Sequence, residues 1–433
     1  MANEMQEIEI FVEKVLREKQ KENKFIPGET LIPPSGKLIG YEETKNMVLA
    51  SFDGWLTTGR FNKEFQETLS KILNVKHLLT VNSGSSANLL AFSSLTSHLH
   101  KDRAVKPGDE VISVAAGFPT TVNPIFQNGA VPVFVDIKLP TYNINEELIE
   151  EAITSKTKAI MLAHTLGNPF NVTKILEICE KYNLWLIEDN CDALGSKYKD
   201  QYTGTFGDAA TLSFYPAHHI TMGEGGAIFT NNNRIKRVVE SFRDWGRDCY
   251  CEPGVENTCK KRFEWQLGKL PFGYDHKYIY SHIGFNMKIT DMQAACGLGQ
   301  LKSLTNFIEK RKSNVNFLKK QLSELQDEIL LPEAEINSDP SWFGFPITIK
   351  KDSKFKRTEI INKLTENKIG TRLLFAGNLT KQPAYISKNF RVKGNLDVTD
   401  LIMANTFWVG IQPAIGEEEL TFTGKIIKDF FKG

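Results

Sequence analysis

Apolar residues along the chain gather into short runs separated by stretches of helical or turn character. The runs Leu78 to Asn82, Glu110 to Val114, Val131 to Ile137, Ala159 to Ala163, Leu184 to Ile187 and Ala210 to Phe214 each suit a buried strand. Their alternation with helical patterns predicts an α/β fold with a mostly parallel central sheet covered on both faces, and binding at the carboxyl ends of its strands. Upstream, Ile8, Phe11, Val12, Val15 and Leu16 recur at helical spacing within Met1 to Lys24, and Pro33-Pro34-Ser35-Gly36 then breaks the chain. From about Leu301 the pattern becomes a long charged helix through Lys319, a strand candidate from Trp342 to Lys350, and further helix-strand alternation. A chain of 433 residues exceeds one ordinary core. The expected division is an N-terminal helical segment (1–35), a large domain (36–300) carrying a polar cysteine loop (245–282), and a small C-terminal α+β domain (301–433).

Charge narrows the function classes. The chain has 53 Lys+Arg against 52 Asp+Glu, a net charge of +1, and no long block of one sign, which disfavours nucleic acid or a membrane surface as partner. No stretch approaches the roughly 18 consecutive apolar residues of a membrane span, and the N-terminus lacks signal-peptide character, so a soluble cytoplasmic protein is expected. Six cysteines in that setting read as thiols or metal ligands rather than disulfides. Cys179 and Cys296 fall in helical patterns and suit the core. Cys191 follows Ile187-Glu188-Asp189-Asn190, whereas Cys249, Cys251 and Cys259 share the polar loop. Four thiolates suit a structural zinc ion as well as an iron-sulfur centre, and the spacing by itself leaves both open.

Ser83-Gly84-Ser85-Ser86 follows a strand candidate and opens an apolar helix, where a phosphate would meet free backbone N–H groups; a plain serine cap is the alternative. Asp189 ends an apolar run, a place for a carboxylate that holds a pyridinium nitrogen or caps a helix. The third piece is Ser213-Phe214-Tyr215-Pro216-Ala217-His218-His219, leading to Gly223-Glu224-Gly225-Gly226. With it the chain resembles the fold-type I, aspartate aminotransferase-like enzymes that bind pyridoxal phosphate (PLP), and among them the sugar aminotransferase and dehydratase group. Gly54-Trp55-Leu56-Thr57-Thr58-Gly59-Arg60, Gly284-Phe285-Asn286 and Thr290-Asp291-Met292-Gln293 extend the resemblance over nearly the whole chain.

In that group a phosphate-binding serine precedes the cofactor-linking lysine by five residues and a glycine-rich run begins five residues after it. Ser213 and Gly223 keep this spacing, but His218 stands at the lysine position. Lacking that amine, the site cannot link the cofactor covalently, which disfavours a transaminase; an imidazole suits a general base acting with pyridoxamine phosphate (PMP). His219 reads as its neighbour rather than a second catalyst. The resemblance further implies that Gly84, Ser85 and Ser213 hold the cofactor phosphate, Asp189 pairs with the ring nitrogen and Phe118 stacks on the ring. By the same resemblance Asp192 and Tyr215 flank the reactive centre, and Asn286 reaches the cofactor of a neighbouring subunit in a homodimer.

The cysteine spacing resembles the branch of this group in which Cys191, Cys249, Cys251 and Cys259 would hold a 2Fe-2S cluster fed by a separate NAD(P)H-dependent flavin and iron-sulfur reductase. The implied substrate is a nucleotide-linked 4-keto-6-deoxyhexose, CDP-4-keto-6-deoxyglucose in the favoured form, losing its C3 hydroxyl for 3,6-dideoxysugar and lipopolysaccharide biosynthesis. A cluster-free PMP-dependent 3-dehydratase is one alternative, and a non-catalytic sugar-nucleotide-binding regulator is another. Arg60, Arg372 and Arg391 are candidates for diphosphate contact.

Overall fold

A computed structural model describes residues 2–20 and 24–432. The N-terminal helix covers Ala2–Gln20, and the rest of the helical stretch expected up to residue 24 includes residues 21–23, which lie outside the described residues. The strands, numbered along the chain, are β1 (His77–Val81), β2 (Glu110–Ser113), β3 (Val131–Phe134), β4 (Thr157–Ala163), β5 (Trp185–Asp189), β6 (Lys197–Tyr198), β7 (Gln201–Tyr202), β8 (Ala209–Ser213) and β9 (Gly226–Thr230). They continue as β10 (Ile329–Leu330), β11 (Ser338–Asp339), β12 (Phe345–Ile349), β13 (Thr371–Leu373), β14 (Arg391–Val392) and β15 (Thr406–Val409).

The large sheet has the order β1-β9-β8-β5-β4-β2-β3-β14, with β9 running against its neighbours β1 and β8 and the other pairs parallel. Its strands read as continuous apolar runs because both faces are covered. Along β4, Ala159 and Met161 enter one core with Leu90, Phe92 and Val238, while Ile160 and Leu162 enter the opposite core with Phe170, Ile175 and Ile178. A four-stranded antiparallel sheet, β10-β12-β15-β13, organises a separate core with the helix Leu304–Leu322 and the C-terminal helix Glu417–Lys432.

The chain after residue 301 feeds both sheets. β14 adds to the edge of the large sheet beside β3, and Leu379, Tyr385 and Leu396 join its core. The run expected to continue to Ile137 stops being strand at Phe134, since Asp136 turns to cap the helix Asp397–Asn405, accepting from the N–H groups of Val398 and Thr399 at 2.9 Å each. Cys179 and Cys296 are buried in helices, as their patterns suggest. Among the described residues no helix is long and apolar enough to cross a membrane.

The early and late motifs meet through one buried carboxylate. Asp291 accepts hydrogen bonds from the N–H groups of Gly59 (2.8 Å), Phe61 (3.2 Å) and Asn62 (2.8 Å), and so closes the N-terminus of the helix Arg60–Leu73, which has no side-chain cap of its own. Asp291→Ala should therefore lower unfolding stability by about 1–3 kcal/mol, because buried N–H groups lose their acceptor. A urea midpoint equal to that of the parent protein would refute this structural role.

Candidate active site

Strand ends converge on a cleft of about 960 Å³ bordered by both sheets. β1 runs into Ser83, whose hydroxyl accepts from the N–H of Ser86 (3.0 Å) and starts the helix Gly84–Leu95. The N–H groups of the first helical turn have no acceptor within the helix, so Gly84 and Ser85 present an anion site to the cleft. Gly84 is required by proximity: a Cβ there would lie 2.4 Å from Cβ of Ser213, the last residue of β8. Gly226, at the start of β9, is packed as closely on the Ser83 carbonyl. The glycine-rich run thus lets the phosphate cradle and two strand ends press together.

Asp189 closes the buried strand β5 with its carboxylate at the cleft floor. Asn88 Nδ2 donates to it at 2.8 Å, Thr121 Oγ1 at 2.7 Å and the Cys191 N–H at 3.1 Å. Asn88 and Thr121 had no assigned role in the sequence, although they lie four residues beyond Gly84 and three beyond Phe118. Phe118 caps the helix Pro119–Gln127 and is 52% exposed in the cleft, with its ring edge-on to Phe375 at 6.2 Å. It is free to cover a bound ring rather than pack in the core.

His218 sits in the turn after β8 and lines the cleft. Its Nδ1 is 3.3 Å from Asp192 Oδ1, close enough for an ion pair but not aligned as a hydrogen bond. His219 points elsewhere: its Nε2 donates to the Ser341 carbonyl at 2.8 Å, and burial, reinforced by the Arg311 charge, pushes its pKa well below the ordinary value. It is a neutral, structural imidazole. Tyr215 is half-exposed at the cleft. Sequence reasoning missed Phe343, Tyr385 and Trp408, which line the same cleft from the C-terminal part of the chain.

Of the three arginine candidates, only Arg372 lines the cleft, on β13, and it is the sole Lys or Arg among the described lining residues. Arg60 is paired with Asp53 (2.6 Å) and Arg391 with Glu110 (2.9 Å). Asn286 is not brought to its own chain's cleft; it is exposed, bridged to Asp244 beyond the sheet edge.

The four cysteines expected to form one set are divided. Cys249, Cys251 and Cys259 line a small cavity in the loop, where the thiol of Cys251 is held below its usual pKa, against the effect of burial, by hydrogen bonding from Thr258. Cys191 instead lines the cofactor cleft, with Sγ 3.8 Å from Thr211 Oγ1. The reason is local: its own N–H ties it to Asp189 at the end of β5, and burial followed by the Asp189 charge drives the thiol well above its usual pKa. Although three cysteines share the loop cavity, among the described residues no group of three or more His, Cys, Asp or Glu side chains is disposed to hold a metal ion. A four-thiolate site for a 2Fe-2S cluster is thus not seen among the described residues, whereas the cradle, Asp189 and Phe118 fit a pyridoxal or pyridoxamine phosphate.

Residues 38–428 match the DegT/DnrJ/EryC1/StrS aminotransferase family, and the chain belongs to it. Its fold is the fold-type I, aminotransferase-like α/β fold of PLP enzymes, with a mixed, mostly parallel central sheet. The chain is 60% identical to the lipopolysaccharide biosynthesis protein RfbH of Salmonella typhimurium over 94% of this chain and 93% of that protein. It is 49% identical to dTDP-4-dehydro-2,6-dideoxy-D-glucose 3-dehydratase of Saccharopolyspora spinosa, over 95% of this chain and 89% of that one. A solved structure of GDP-4-keto-6-deoxymannose-3-dehydratase with bound GDP-perosamine superposes with a TM-score of 0.82 at 28% identity, covering 92% of this chain and 100% of that one. The chain is thus an enzyme of the nucleotide-sugar dehydratase and aminotransferase group linked to PLP or PMP.

Gly84→Ala should weaken PLP binding at least about tenfold in an absorbance titration while leaving the circular dichroism spectrum intact, since the added methyl displaces Ser213 from the cradle. Unchanged affinity would remove the cradle assignment.

Proposed function

We propose that the chain is a PMP-dependent nucleotide-sugar 3-dehydratase acting on a nucleotide-linked 4-keto-6-deoxyhexose. The observation that carries this reading is the imidazole of His218 beside Asp192 in a cleft with no lysine among its described lining residues. An enzyme of this fold that regenerates its cofactor on a lysine needs that amine. Bound PMP would supply an amine to join the sugar's keto carbon and a ring that draws electrons away from it.

The residues then divide the work. Gly84, Ser85 and Ser213 bind the cofactor phosphate, Phe118 covers the ring, and Asp189, fixed by Asn88, Thr121 and the Cys191 N–H, holds the ring nitrogen protonated. Asp192 orients His218 through Nδ1, so that its other ring nitrogen would take a proton from the cofactor's aminomethyl carbon and pass it to the sugar's C3 hydroxyl, which leaves as water. Tyr215, in the same turn, borders the reacting carbon. Arg372 meets the diphosphate from the opposite wall.

The finer reading is CDP-6-deoxy-L-threo-D-glycero-4-hexulose-3-dehydrase, in a route to 3,6-dideoxysugars and lipopolysaccharide. The cysteine spacing and the similarity to RfbH support it, while the dTDP-specific relative favours a dTDP-linked sugar equally well. The 2Fe-2S centre and its reductase rest on that spacing and on the loop cavity of Cys249, Cys251 and Cys259, not on the placement of Cys191. A homodimer has support from the exposed position of Asn286 outside its own cleft.

The deciding experiment supplies the PMP-loaded enzyme with CDP-, dTDP- and GDP-linked 4-keto-6-deoxyhexoses, with and without a flavin reductase, and follows products by mass spectrometry. Loss of the C3 hydroxyl from one of them is expected; a 4-amino sugar formed at glutamate's expense would refute the dehydratase reading. His218→Asn should lower the dehydration rate about 100-fold or more, and Arg372→Ala should raise KM about ten- to hundredfold with kcat little changed. About two iron and two sulfide per chain in anaerobically purified protein would favour the cluster; turnover without a reductase and without iron would favour the cluster-free enzyme.

A further inference from the structure

Arg311 is among the largest fully enclosed side chains of the described protein, only 1% exposed, on the helix Leu304–Leu322 behind the His218 turn. Its Nη1 donates to the carbonyls of Trp342 (3.3 Å) and Phe343 (3.0 Å) and its Nη2 to the carbonyl of His218 (3.4 Å), while Nε is buried without a partner. No carboxylate forms an ion pair with it among the described residues, and the one carboxylate whose charge acts on it is Asp192, the acid beside His218. Burial lowers its pKa to about 10, which leaves the guanidinium charged at neutral pH. An unpaired buried cation costs several kcal/mol. Two or three carbonyls alone would be served as well by a neutral amide, so the retained charge calls for a function.

Resting on the dehydratase reading, we infer that Arg311 is a positioning residue for His218: it clamps the backbone of the His218 turn and draws the Asp192 carboxylate to its place beside the ring, so that the imidazole carries its proton on Nδ1 and offers Nε2 to the cleft. The titratable and charged groups around this imidazole are Asp192 and Asp189 from the end of β5, Tyr215 from its own turn and Arg372 across the cleft, with the ring of Phe343 at 5.2 Å between centroids; the neutral His219 next in the chain points away to Ser341. Asp192 pairs with it at 3.3 Å, and Arg311 is the cation that holds the His218 carbonyl and on which the Asp192 charge acts. The arrangement is that of a buried positive charge acting on a base through the carboxylate that orients it.

The test uses the PMP-loaded enzyme labelled with ¹⁵N-histidine, in which the His218 signals are identified by their loss in His218→Asn. The Nδ1–H tautomer is expected in the parent protein, a mixed or Nε2–H form in Arg311→Gln, and largely restored Nδ1–H in Arg311→Lys, which keeps the charge. Arg311→Gln should also lose about 10- to 100-fold in kcat with KM and the cofactor's absorbance little changed, the scale of losing an outer orienting group. Arg311→Gln that retains the Nδ1–H signal, or Arg311→Lys no better than Gln in tautomer and rate, would overturn the inference. If Arg311→Gln does not fold, Asp192→Asn carries the test: it must lose the Nδ1–H form while still binding PMP, and retention of that form is again fatal. A parent enzyme showing the expected tautomer but dehydrating none of the keto-sugars would sink the dehydratase reading and leave the role of Arg311 standing.

Discussion

A carboxylate at the buried end of a strand must be matched by donors from outside that strand, because leaving it unpaired costs several kcal/mol and its own backbone cannot satisfy it. Asp189 meets this condition with Asn88 from the helix after β1, Thr121 from the helix after β2 and the N–H of Cys191 just beyond β5. The three donors arrive together only when β1, β2 and β5 hold their places and both helices dock. Those same two helices begin with Gly84 and Phe118, so satisfying one acid also sets the phosphate cradle and the ring cover. Its neighbour Glu188 makes the parallel demand on the other face, accepting from the N–H groups of Gly204 (2.8 Å), Phe206 (2.9 Å) and Gly207 (2.6 Å) and pairing with His164 at 2.9 Å. Two adjacent buried acids thus fix the loops on opposite sides of the sheet.

Features set by local chemistry were legible in the sequence. The serine cap and glycine of the helix after β1, the Ser213 to Gly226 segment and the apolar runs of the central strands each need only their own neighbours to be recognised, and each is found where its pattern places it. The cofactor side of the site was legible for that reason. Its other wall, Arg372 apart, was not: Phe343, Tyr385 and Trp408 are scattered over the C-terminal part, and no spacing among them signals one cavity. β14 was hidden for the same reason, since a two-residue strand gains its partner β3 only through the tertiary fold.

The cysteines show what a linear pattern leaves out. Spacing treats Cys191 as equivalent to Cys249, Cys251 and Cys259, yet the first is tethered to a buried strand end and the others lie in turns between residues 245 and 282 with little regular structure. A sequence interval cannot express that difference in tether. The arginine candidates went the same way: Arg60, Arg372 and Arg391 look alike until Asp53 and Glu110 neutralise two of them and leave one facing the cleft.

Charge placement explains how one cleft could receive two different anions. The cradle offers neutral donors, the N–H groups of a helix end and the Ser213 hydroxyl, with no lysine or arginine beside them among the described lining residues. A phosphate bound there would be held by N–H and hydroxyl donors at a point where Gly84 lets the helix end approach Ser213 closely. On the proposed function, the longer diphosphate of a sugar nucleotide would be met by the side chain of Arg372, on β13 of the other sheet. Between them lie Asp189, Asp192 and His218, so an anion placed in the wrong half would face carboxylates. On the same proposed function, cofactor and substrate would be ordered by this charge placement, with the sugar carbons over the His218 imidazole.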